Sequence, residues 1–484
     1  MTTSATTESI NATSAHRFDG LKQELGDKIL LGEEVRSEFR TDFGRMVDRV
    51  PGAVARCTSA EDVATVVRYC RKHGIPIVGR GQGHTQSGQS TTDGGILIDT
   101  SSMQKIYNID RENLVAECDG GVVWRDLVAE TVPQGLVPPV LTNNLGVTLA
   151  GTTSVAGLGV ASYRYGTQAD NAVELEVVTG AGDIVICSRE QNQDLFNAVR
   201  CGLGQFGIIT RIKTRLRPCK QKVRMYHLLY DDLGVFMKDA EAVMDPNDQR
   251  FHTLESRCAP CPIFMKRIGE GLKLREGAQL YAYWTYPMFL TVEYEEGEEP
   301  NDEALLEGMN YHRHLRTDEY TQLEFCNRLI PVFEIWHRSG NWQMAHPWME
   351  SIMPWDTAQE FIEMALDNLP PQALGPAGHI LLWPSRGDTS DVPLFIHPGG
   401  DHVMGWGILP AVPHEYVEEA RANLDMVSEL SIGYGGKRYL SGFVTFQGVE
   451  RWQQHFGDRW PQICEAKKRF DPDGIMNPGF IQYE

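Results

Sequence analysis

The sequence predicts an α+β fold of two domains, and three observations support this prediction. A helical pattern leads into short apolar strands on either side of a glycine-rich loop within the first hundred residues. A second glycine-rich segment precedes two strands joined by a tight turn. From about residue 219 glycine loops become rarer and aromatic and acidic residues more frequent, which indicates a second domain. Helices that feed short strands are typical of α/β or α+β folds.

Length and charge limit the classes of function. A chain of 484 residues with 42% hydrophobic residues is long enough for two or three domains with large cores. Its 65 acidic residues against 45 basic ones give a formal charge of −20, so nucleic acid and anionic membranes are not expected as partners. No segment approaches the ~20 apolar residues of a membrane span, and the N-terminus lacks a signal-peptide pattern. We therefore expect a cytoplasmic protein, either a monomer or a homo-oligomer.

The ten cysteines are scattered through the chain and are expected to be reduced thiols. Cys258 and Cys261 form one CxxC pair, which is compatible with a redox dithiol, half of a zinc site, or two plain thiols. No second pair and no histidine cluster completes a zinc site, so no metal is predicted.

The first helix is predicted from Ser59 to Gly74. Ser59 and Asp62 have the spacing of a capping box, apolar residues follow at helical intervals, and Gly74 is placed to end the helix. Short strands are then predicted at residues 75–78, 94–99 and 114–118, with the glycine-rich loop Gly79–Gln89 between the first two.

The second glycine-rich segment covers residues 145–166. Alternating residues at 173–177 and the apolar run 184–186 predict a hairpin around Gly180-Ala-Gly182. A short helix at 194–199 and a strand at 208–212 complete this part of the chain.

The loop Gly79–Gln89 is the first candidate binding site. Its glycines at 79, 81 and 83 would let backbone N–H groups approach a phosphate, although an ordinary glycine turn has the same appearance. No Walker sequence and no dinucleotide fingerprint is present, which disfavours a Rossmann nicotinamide site. His84 in this loop is a candidate ligand, base or cofactor attachment point, or a loop histidine held only by hydrogen bonds.

Several motifs occur in an order that resembles a known family. They include PIVGRGQGHTQSGQST at residues 76–91, GLGQFGIITR at 202–211, HPW at 346–348, KRYL at 437–440 and FDP at 470–472. The first motif resembles the flavin-binding domain of the vanillyl-alcohol oxidase and p-cresol methylhydroxylase superfamily. Within that superfamily the chain is especially similar to the cytokinin dehydrogenases, over most of its length.

The resemblance implies an FAD site. His84 matches the histidine that is covalently attached to the 8α-methyl group of FAD, and no cysteine occupies the place of a second covalent link. The segment that wraps the pyrophosphate matches Gly79, Arg80, Gly81, Gln82, Gly83, Thr85 and Gln89. Further contacts to FAD match Thr148, Ser154, Leu158, Ile209, Tyr439 and Asn477.

Two catalytic candidates follow from the resemblance. Tyr439 matches a residue beside the flavin ring. Asn143 lies where cytokinin dehydrogenases carry an aspartate that accepts a proton from the substrate amine, and an amide takes up no proton at neutral pH. Isoprenoid adenine cytokinins are therefore expected to be poor substrates. Glu334 and His337 are alternative candidates for the base, or surface residues.

The resemblance implies a discontinuous FAD-binding domain of residues 1–217 and 436–484, with an α+β substrate-binding domain at 218–435. The expected reaction removes a hydride from a carbon bearing nitrogen or oxygen, and oxygen or a quinone reoxidises the flavin. Whole-chain similarity favours an amine substrate, whereas Asn143 favours an alcohol or a carbohydrate. A flavin-binding protein without catalysis is the hypothesis from another class.

Overall fold

The computed structural model describes residues 16–261 and 282–484. Its first part contains a four-stranded sheet in the order β1-β2-β4-β3, in which β2, β3 and β4 are parallel and β1 is antiparallel to β2. The strands are β1 (Ile29–Leu30), β2 (Ala53–Arg56), β3 (Ile77–Arg80) and β4 (Ile96–Asp99).

The helix predicted from Ser59 to Gly74 is confirmed at Ala60–His73, where it is the third helix of the described residues. The Ser59 side chain accepts a hydrogen bond from the Asp62 N–H, and Gly74 ends the helix with a φ of 60°. Val63, Val66, Val67 and Cys70 are fully buried against the four-stranded sheet, which explains the apolar spacing.

Strand β3 begins two residues later than predicted. Pro76 has no N–H to donate, so the hydrogen-bonded ladder begins at Ile77. The glycine-rich loop follows the carboxyl end of β3.

A five-stranded antiparallel sheet follows in the order β5-β6-β10-β8-β9. The hairpin predicted around Gly180 is confirmed, since β8 pairs with β9. The strands are β5 (Ile106–Asp110), β6 (Val115–Asp119), β8 (Ala172–Thr179), β9 (Ile184–Ser188) and β10 (Gly207–Arg215), and β7 (Leu136–Val137) pairs separately with β11 (Arg217–Pro218).

Seven helices described in this part of the chain connect the strands. They are α1 (Asp19–Leu25), α2 (Glu33–Glu38), α3 (Ala60–His73), α4 (Trp124–Thr131), α5 (Leu149–Thr153), α6 (Ser162–Tyr165) and α7 (Gln193–Val199).

The second part is built on an eight-stranded antiparallel sheet in the order β15-β12-β14-β13-β17-β18-β16-β19. The strands are β12 (Lys222–Tyr230), β13 (Thr253–Cys261), β14 (Tyr283–Tyr294), β15 (Arg313–Thr321), β16 (Met349–Pro354), β17 (His379–Arg386), β18 (His402–Leu409) and β19 (Lys437–Arg438). Its helices are α8 (Leu233–Met244), α9 (Asp302–Leu306), α10 (Gln322–Cys326), α11 (Ile330–Arg338), α12 (Trp355–Asp367) and α13 (Val417–Gly433). Two further helices, α14 (Val449–Phe456) and α15 (Trp460–Phe470), belong to the C-terminal segment and pack into the core of the first part.

The two faces of this large sheet have different neighbours. Trp406 of β18 packs edge-on against Phe361 of α12, so helices cover that face. The next residue, Gly407, lies on the opposite face because side chains alternate along a strand. A Cβ at Gly407 would lie 2.8 Å from the Trp383 ring and 3.6 Å from Glu350 Cγ. This second face is directed at the first part of the chain.

The C-terminal segment returns to the first part. Met476 bridges to Ile77, and the Asn477 N–H donates to the Ile77 carbonyl at 2.8 Å. Strand β19, at the predicted start of this segment, still pairs with β16 of the large sheet. The fold is α+β, as predicted, whereas the exact domain boundaries stay a prediction. Within the described residues, no helix has the length and apolar character needed to cross a membrane.

Candidate active site

A cavity of about 580 Å³ lies between the two parts of the chain. One side is formed by residues 78–90, 142–160 and 203–209, which we call the loop wall. The other side is formed by side chains from β13, β16, β17, β18 and α11 together with Tyr439 and Ser441, which we call the sheet wall. The size is typical of small-ligand and cofactor sites.

The structure brings all the predicted site residues to this cavity. The lining residues include Asn143, Tyr439, Gly79, Arg80, Gly81, Gln82, Gly83, His84, Thr85, Gln89, Thr148, Ser154, Leu158, Ile209 and Asn477. Their roles toward a ligand remain predictions, but their common location follows from the geometry.

Glycine is required in the loop because the loop lies against the second glycine-rich segment. A Cβ at Gly81 would lie 2.4 Å from Thr148 Oγ1, which is closer than real atoms approach. Gly83 has a φ of +67°, in the left-handed region that glycine adopts readily. A Cβ at Gly79, by contrast, would make an ordinary contact of 3.5 Å with Ile208.

Two charged side chains, Asp42 and Arg80, hold the loop Gly79–Gln89 in place. The Asp42 carboxylate accepts hydrogen bonds from Thr85 Oγ1 and from the Gly88 N–H, both at 2.7 Å. The Arg80 guanidinium donates to the Thr41 carbonyl at 2.8 Å. Burial raises the pKa of Asp42 and lowers the pKa of Arg80. These bonds hold the backbone of the loop in one conformation before any ligand binds.

His84 lies on the loop wall with a neutral imidazole. Burial lowers its pKa to about 4, so the ring carries no charge at pH 7. Its Nε2 is buried without a hydrogen-bond partner among the described residues. The ring stacks on Phe43 with centroids 4.0 Å apart, and Phe43 stacks in turn on His346 at 4.3 Å. The stack sets the orientation of the imidazole and links the two parts of the chain.

One row of residues crosses the sheet wall. The pairing of β13, β17, β18 and β16 places Arg257, Leu381, Gly407 and Glu350 side by side. Neighbouring strands are about 4.8 Å apart, so about 14 Å separates the Cα atoms of Arg257 and Glu350. A guanidinium therefore lies at one end of the row and a carboxyl group at the other.

Beside the first end of the row, Asn143 of the loop wall contacts an ion cluster of Glu255, Arg257 and Arg328. The Asn143 amide donates to Glu255 Oε1 at 3.3 Å and accepts from Arg328 at 3.1 Å. Arg328 and Arg257 donate to Glu255 at 2.8 and 2.9 Å. Burial alone would raise the pKa of Glu255, but the two guanidinium groups lower it to about 2. Both the Nδ2 and the Oδ1 atom of Asn143 thus make hydrogen bonds, which fixes the orientation of the amide.

The second end of the row contains Glu350, Ser441 and Tyr439. The Ser441 hydroxyl donates to Glu350 Oε2. Tyr439 accepts hydrogen bonds at its hydroxyl oxygen from the N–H groups of Gly157 and Leu158, at 3.1 and 3.3 Å. Burial raises the pKa of Tyr439. In the structure, the Tyr439 hydroxyl therefore holds the backbone of Gly157 and Leu158 in place.

The two alternative bases lie elsewhere. Glu334 and Arg338 form an exposed ion pair at 3.1 Å on α11, and His337 is exposed and stacks on Trp342. The opposite face of the same helix supplies Leu329, Val332, Phe333 and Trp336 to the cavity.

Sequence reasoning missed most of the sheet wall. Glu350 follows the HPW motif at the spacing that puts it on the same strand face as Trp348, which was the available indication. Arg257, Glu255 and Arg328 come together only in the tertiary fold, so no sequence pattern indicates their cluster. Phe43 likewise belongs to no sequence pattern that would indicate its stack on His84.

Comparison with known proteins agrees with this geometry. A family model described as an FAD binding domain matches residues 51–188. A second model, described as "Cytokinin dehydrogenase 1, FAD and cytokinin binding", matches residues 220–482, more than half of the chain. The chain belongs to this family. It is an FAD-dependent oxidoreductase of the cytokinin dehydrogenase type, and the resemblance seen in the sequence is confirmed.

Individual relatives cover nearly the whole chain. An uncharacterized oxidoreductase of the fasciation locus of Rhodococcoides fascians is 32% identical over 440 residues, which are 91% of this chain and 95% of that protein. Cytokinin dehydrogenase 6 of Oryza sativa subsp. japonica is 29% identical over 491 residues, covering 95% and 92% of the two chains. The crystal structure of 6-hydroxy-D-nicotine oxidase from Arthrobacter nicotinovorans has the same fold, with a TM-score of 0.71, 21% identity and coverage of 95% and 98%.

The residues of the cavity fit FAD. His84, whose buried Nε2 has no partner among the described residues, lines the cavity, and Gly79, Gly81 and Gly83 of the loop present backbone to it. The long loop wall suits an extended dinucleotide, and the sheet wall leaves an apolar space with a few polar groups for a second molecule.

Proposed function

We propose that the protein oxidises a carbon adjacent to an amine nitrogen, with FAD attached covalently to His84 alone and reoxidised by oxygen or a quinone. The observation that carries this proposal is His84, whose neutral imidazole lines the cavity and whose buried Nε2 has no hydrogen-bond partner among the described residues. An imidazole without a proton on that nitrogen is a nucleophile, and the stack on Phe43 holds it in one orientation.

The loop wall would hold the cofactor. Backbone N–H groups around Gly81 and Gly83 would surround the pyrophosphate, with Thr148, Ser154, Leu158, Ile209 and Asn477 along the remaining length. When bound, FAD supplies the acceptor for a hydride removed from the substrate. Tyr439 keeps the Gly157–Leu158 backbone in the position that faces this group.

The sheet wall would hold the substrate. Asn143 faces this wall from the loop wall, and its amide can orient a polar group of the substrate because Glu255 and Arg328 bind it from both sides. Leu329 and, from α11, Val332, Phe333 and Trp336 give the cavity apolar lining that would limit the access of water. Exclusion of water strengthens each polar contact made inside the cavity.

An alcohol or carbohydrate substrate is the second candidate. It is favoured by Asn143, because an amide at this place does not take the proton of a substrate amine. Family membership favours the amine, and the sheet wall has the polar groups for either substrate.

The test is anaerobic mixing of the purified yellow protein with a panel of amines, including isoprenoid adenine cytokinins, and of alcohols and sugars. We expect an amine to bleach the flavin absorbance near ~450 nm within seconds. Dithionite is the control, since it reduces the flavin of any flavoprotein. Bleaching by alcohols or sugars alone would establish the second candidate, and bleaching by dithionite alone would show a flavin-binding protein without catalysis.

A further inference from the structure

Glu350 is the one carboxylate side chain that lines the cavity among residues 16–261 and 282–484. Glu350 belongs to strand β16 and pairs with Gly407 of β18, whose missing side chain leaves room for the Trp383 ring beside Glu350. Ser441 and Tyr439, which reach the same cavity, follow β19 on its other side. The side chain is therefore placed at the surface a substrate would touch.

The surroundings of Glu350 leave its carboxyl group without an ion-pair partner in the described chain. Arg438 is the neighbouring guanidinium, but its donors are used elsewhere. Its Nε donates to the backbone carbonyl of Glu350 at 2.9 Å, its Nη1 to Ser428 at 2.7 Å, and its Nη2 to the Phe443 carbonyl. The carboxyl group receives one hydrogen bond, from Ser441.

These surroundings bring the pKa of Glu350 close to neutral pH. Burial raises its pKa to about 7, against smaller lowering effects of Ser441 and Arg438. The other groups that bear on this charge are the Tyr439 hydroxyl and, from α13, Asp425 and Glu429, which act on Arg438.

We propose that the Glu350 carboxylate is the proton acceptor of the oxidation. The inference rests on the proposed function and extends it. Loss of a hydride from the carbon leaves the adjacent N–H or O–H proton on a cationic product. Glu350 takes that proton, which yields the neutral imine or carbonyl compound and a carboxylic acid that later releases the proton to solvent. The hydride carries both electrons to the bound cofactor, so the step is balanced.

The other polar groups in or behind the walls are unsuited to this role. Asn143 is an amide. Burial lowers the pKa of His379 to about 4, and Glu255 lies behind Asn143 with a pKa of about 2, so both are weak bases. The Tyr439 hydroxyl is occupied by two N–H donors. A base works best when its pKa is close to the working pH, which is the case for Glu350.

The experiment measures the rate of flavin reduction in Glu350→Gln as a function of pH, with the substrate found for the wild-type protein. In the wild-type protein the rate should rise with pH through about 7 and then level off, because the ionised form is the active one. Glu350→Gln should reduce the rate ~10²–10⁴-fold and abolish this rise. Glu334→Gln is the matched control, since it removes an exposed carboxylate outside the cavity.

Two further variants separate chemistry from packing. Glu350→Asp retains a carboxyl group and should retain the pH-dependent rise at a reduced rate. Ser441→Ala removes the hydrogen bond that lowers the pKa of Glu350, so the rise should move to higher pH.

Thermal unfolding gives a readout that is independent of turnover. The ordinary pKa of the glutamate is 4.5, and the folded protein raises it to about 7, so ionisation destabilises the fold as pH increases between these values. Glu350→Gln should therefore unfold at a higher temperature than the wild type at pH 8, and the difference should shrink at pH 5.

The outcomes distinguish this inference from the proposed function. If no substrate reduces the wild-type flavin, the proposed function fails and the Glu350 proposal with it, whatever the unfolding data show. If the wild type is reduced and Glu350→Gln has the same rate and pH profile, Glu350 is not the proton acceptor and the proposed function stands.

Discussion

The two walls of the cavity differ in the groups that they present. The loop wall consists of glycines, small residues and backbone, and its one ionisable side chain with an unpaired buried atom is His84 among the described residues. The sheet wall instead presents Arg257, His379 and Glu350 beside large apolar side chains. The first wall suits a cofactor held by shape and backbone donors, and the second suits a smaller molecule held and altered by side-chain chemistry.

The sheet wall contains a further contrast between two buried glutamates. Glu255, between Arg257 and Arg328, has a pKa lowered to about 2, whereas Glu350, with a single hydrogen bond from Ser441, has a pKa raised to about 7. Carboxyl groups whose surroundings separate their pKa values take different roles. Glu255 stays ionised and holds Asn143 in place, and Glu350 is the group able to exchange a proton near neutral pH.

The largest expected effect tests the loop wall. Gly81→Ala places a Cβ 2.4 Å from Thr148 Oγ1, so the loop must move away from the second glycine segment. We expect this variant to lose most of its bound FAD, measured as flavin absorbance per folded protein. Gly79→Ala is the matched control, because its Cβ would lie 3.5 Å from Ile208 and should be tolerated. Full flavin content in Gly81→Ala would show that close packing of the loop is not what shapes this wall.

The next effect tests the first end of the sheet wall. Glu255→Gln leaves the largely buried Arg328 and the partly exposed Arg257 without their carboxylate, and loss of one partner from a buried ion pair costs about 3 kcal/mol or more of the free energy of unfolding. The loss should be measured by denaturant unfolding at pH 7, with Glu334→Gln as the exposed control.

The pH dependence of this loss has a definite sign. Because the folded protein lowers the pKa of Glu255 from 4.5 to about 2, its contribution is present above pH 4.5 and disappears as pH falls through 2. Equal stability of the wild type and Glu255→Gln at pH 7 would mean that the cluster contributes nothing to the fold.

The smallest effect concerns Tyr439, where the two walls meet. Tyr439→Phe removes the acceptor for the Gly157 and Leu158 N–H groups, which should lower the free energy of unfolding by about 1–2 kcal/mol. The rate of flavin reduction should stay within about tenfold of the wild type if the hydroxyl acts by positioning. A decrease of about a hundredfold at unchanged stability would instead give the hydroxyl a catalytic role, as the family resemblance implied.

The features predicted correctly depend on residues that are close together in the sequence, whereas the missed features depend on contacts between distant residues. The helix Ala60–His73 and the hairpin of β8 and β9 follow from cap residues and alternation, whereas the residues of the loop wall were identified from the family resemblance of short motifs. The row from Arg257 to Glu350 could not be predicted in this way. Its members come from residues 257, 381, 407 and 350, and only the strand order β13-β17-β18-β16 makes them neighbours.

The same difference applies to single site residues. Asn143 was identified from the family resemblance, but its partners Glu255 and Arg328 are 112 and 185 residues away in the chain. The contact of Phe43 with His84 also joins separate segments of the chain. It could not be predicted, because no sequence pattern around Phe43 indicates an aromatic stack.

The central claim is that the loop wall carries FAD on His84, and peptide mapping tests it most directly. The acid-precipitated protein should stay yellow, and proteolysis followed by mass spectrometry should give one flavin-bearing peptide, which contains His84. His84→Ala should give a colourless precipitate, whereas His337→Ala, which changes an exposed histidine, should stay yellow. A colourless wild-type precipitate with all flavin in the supernatant, or a flavin on another residue, would contradict the claim.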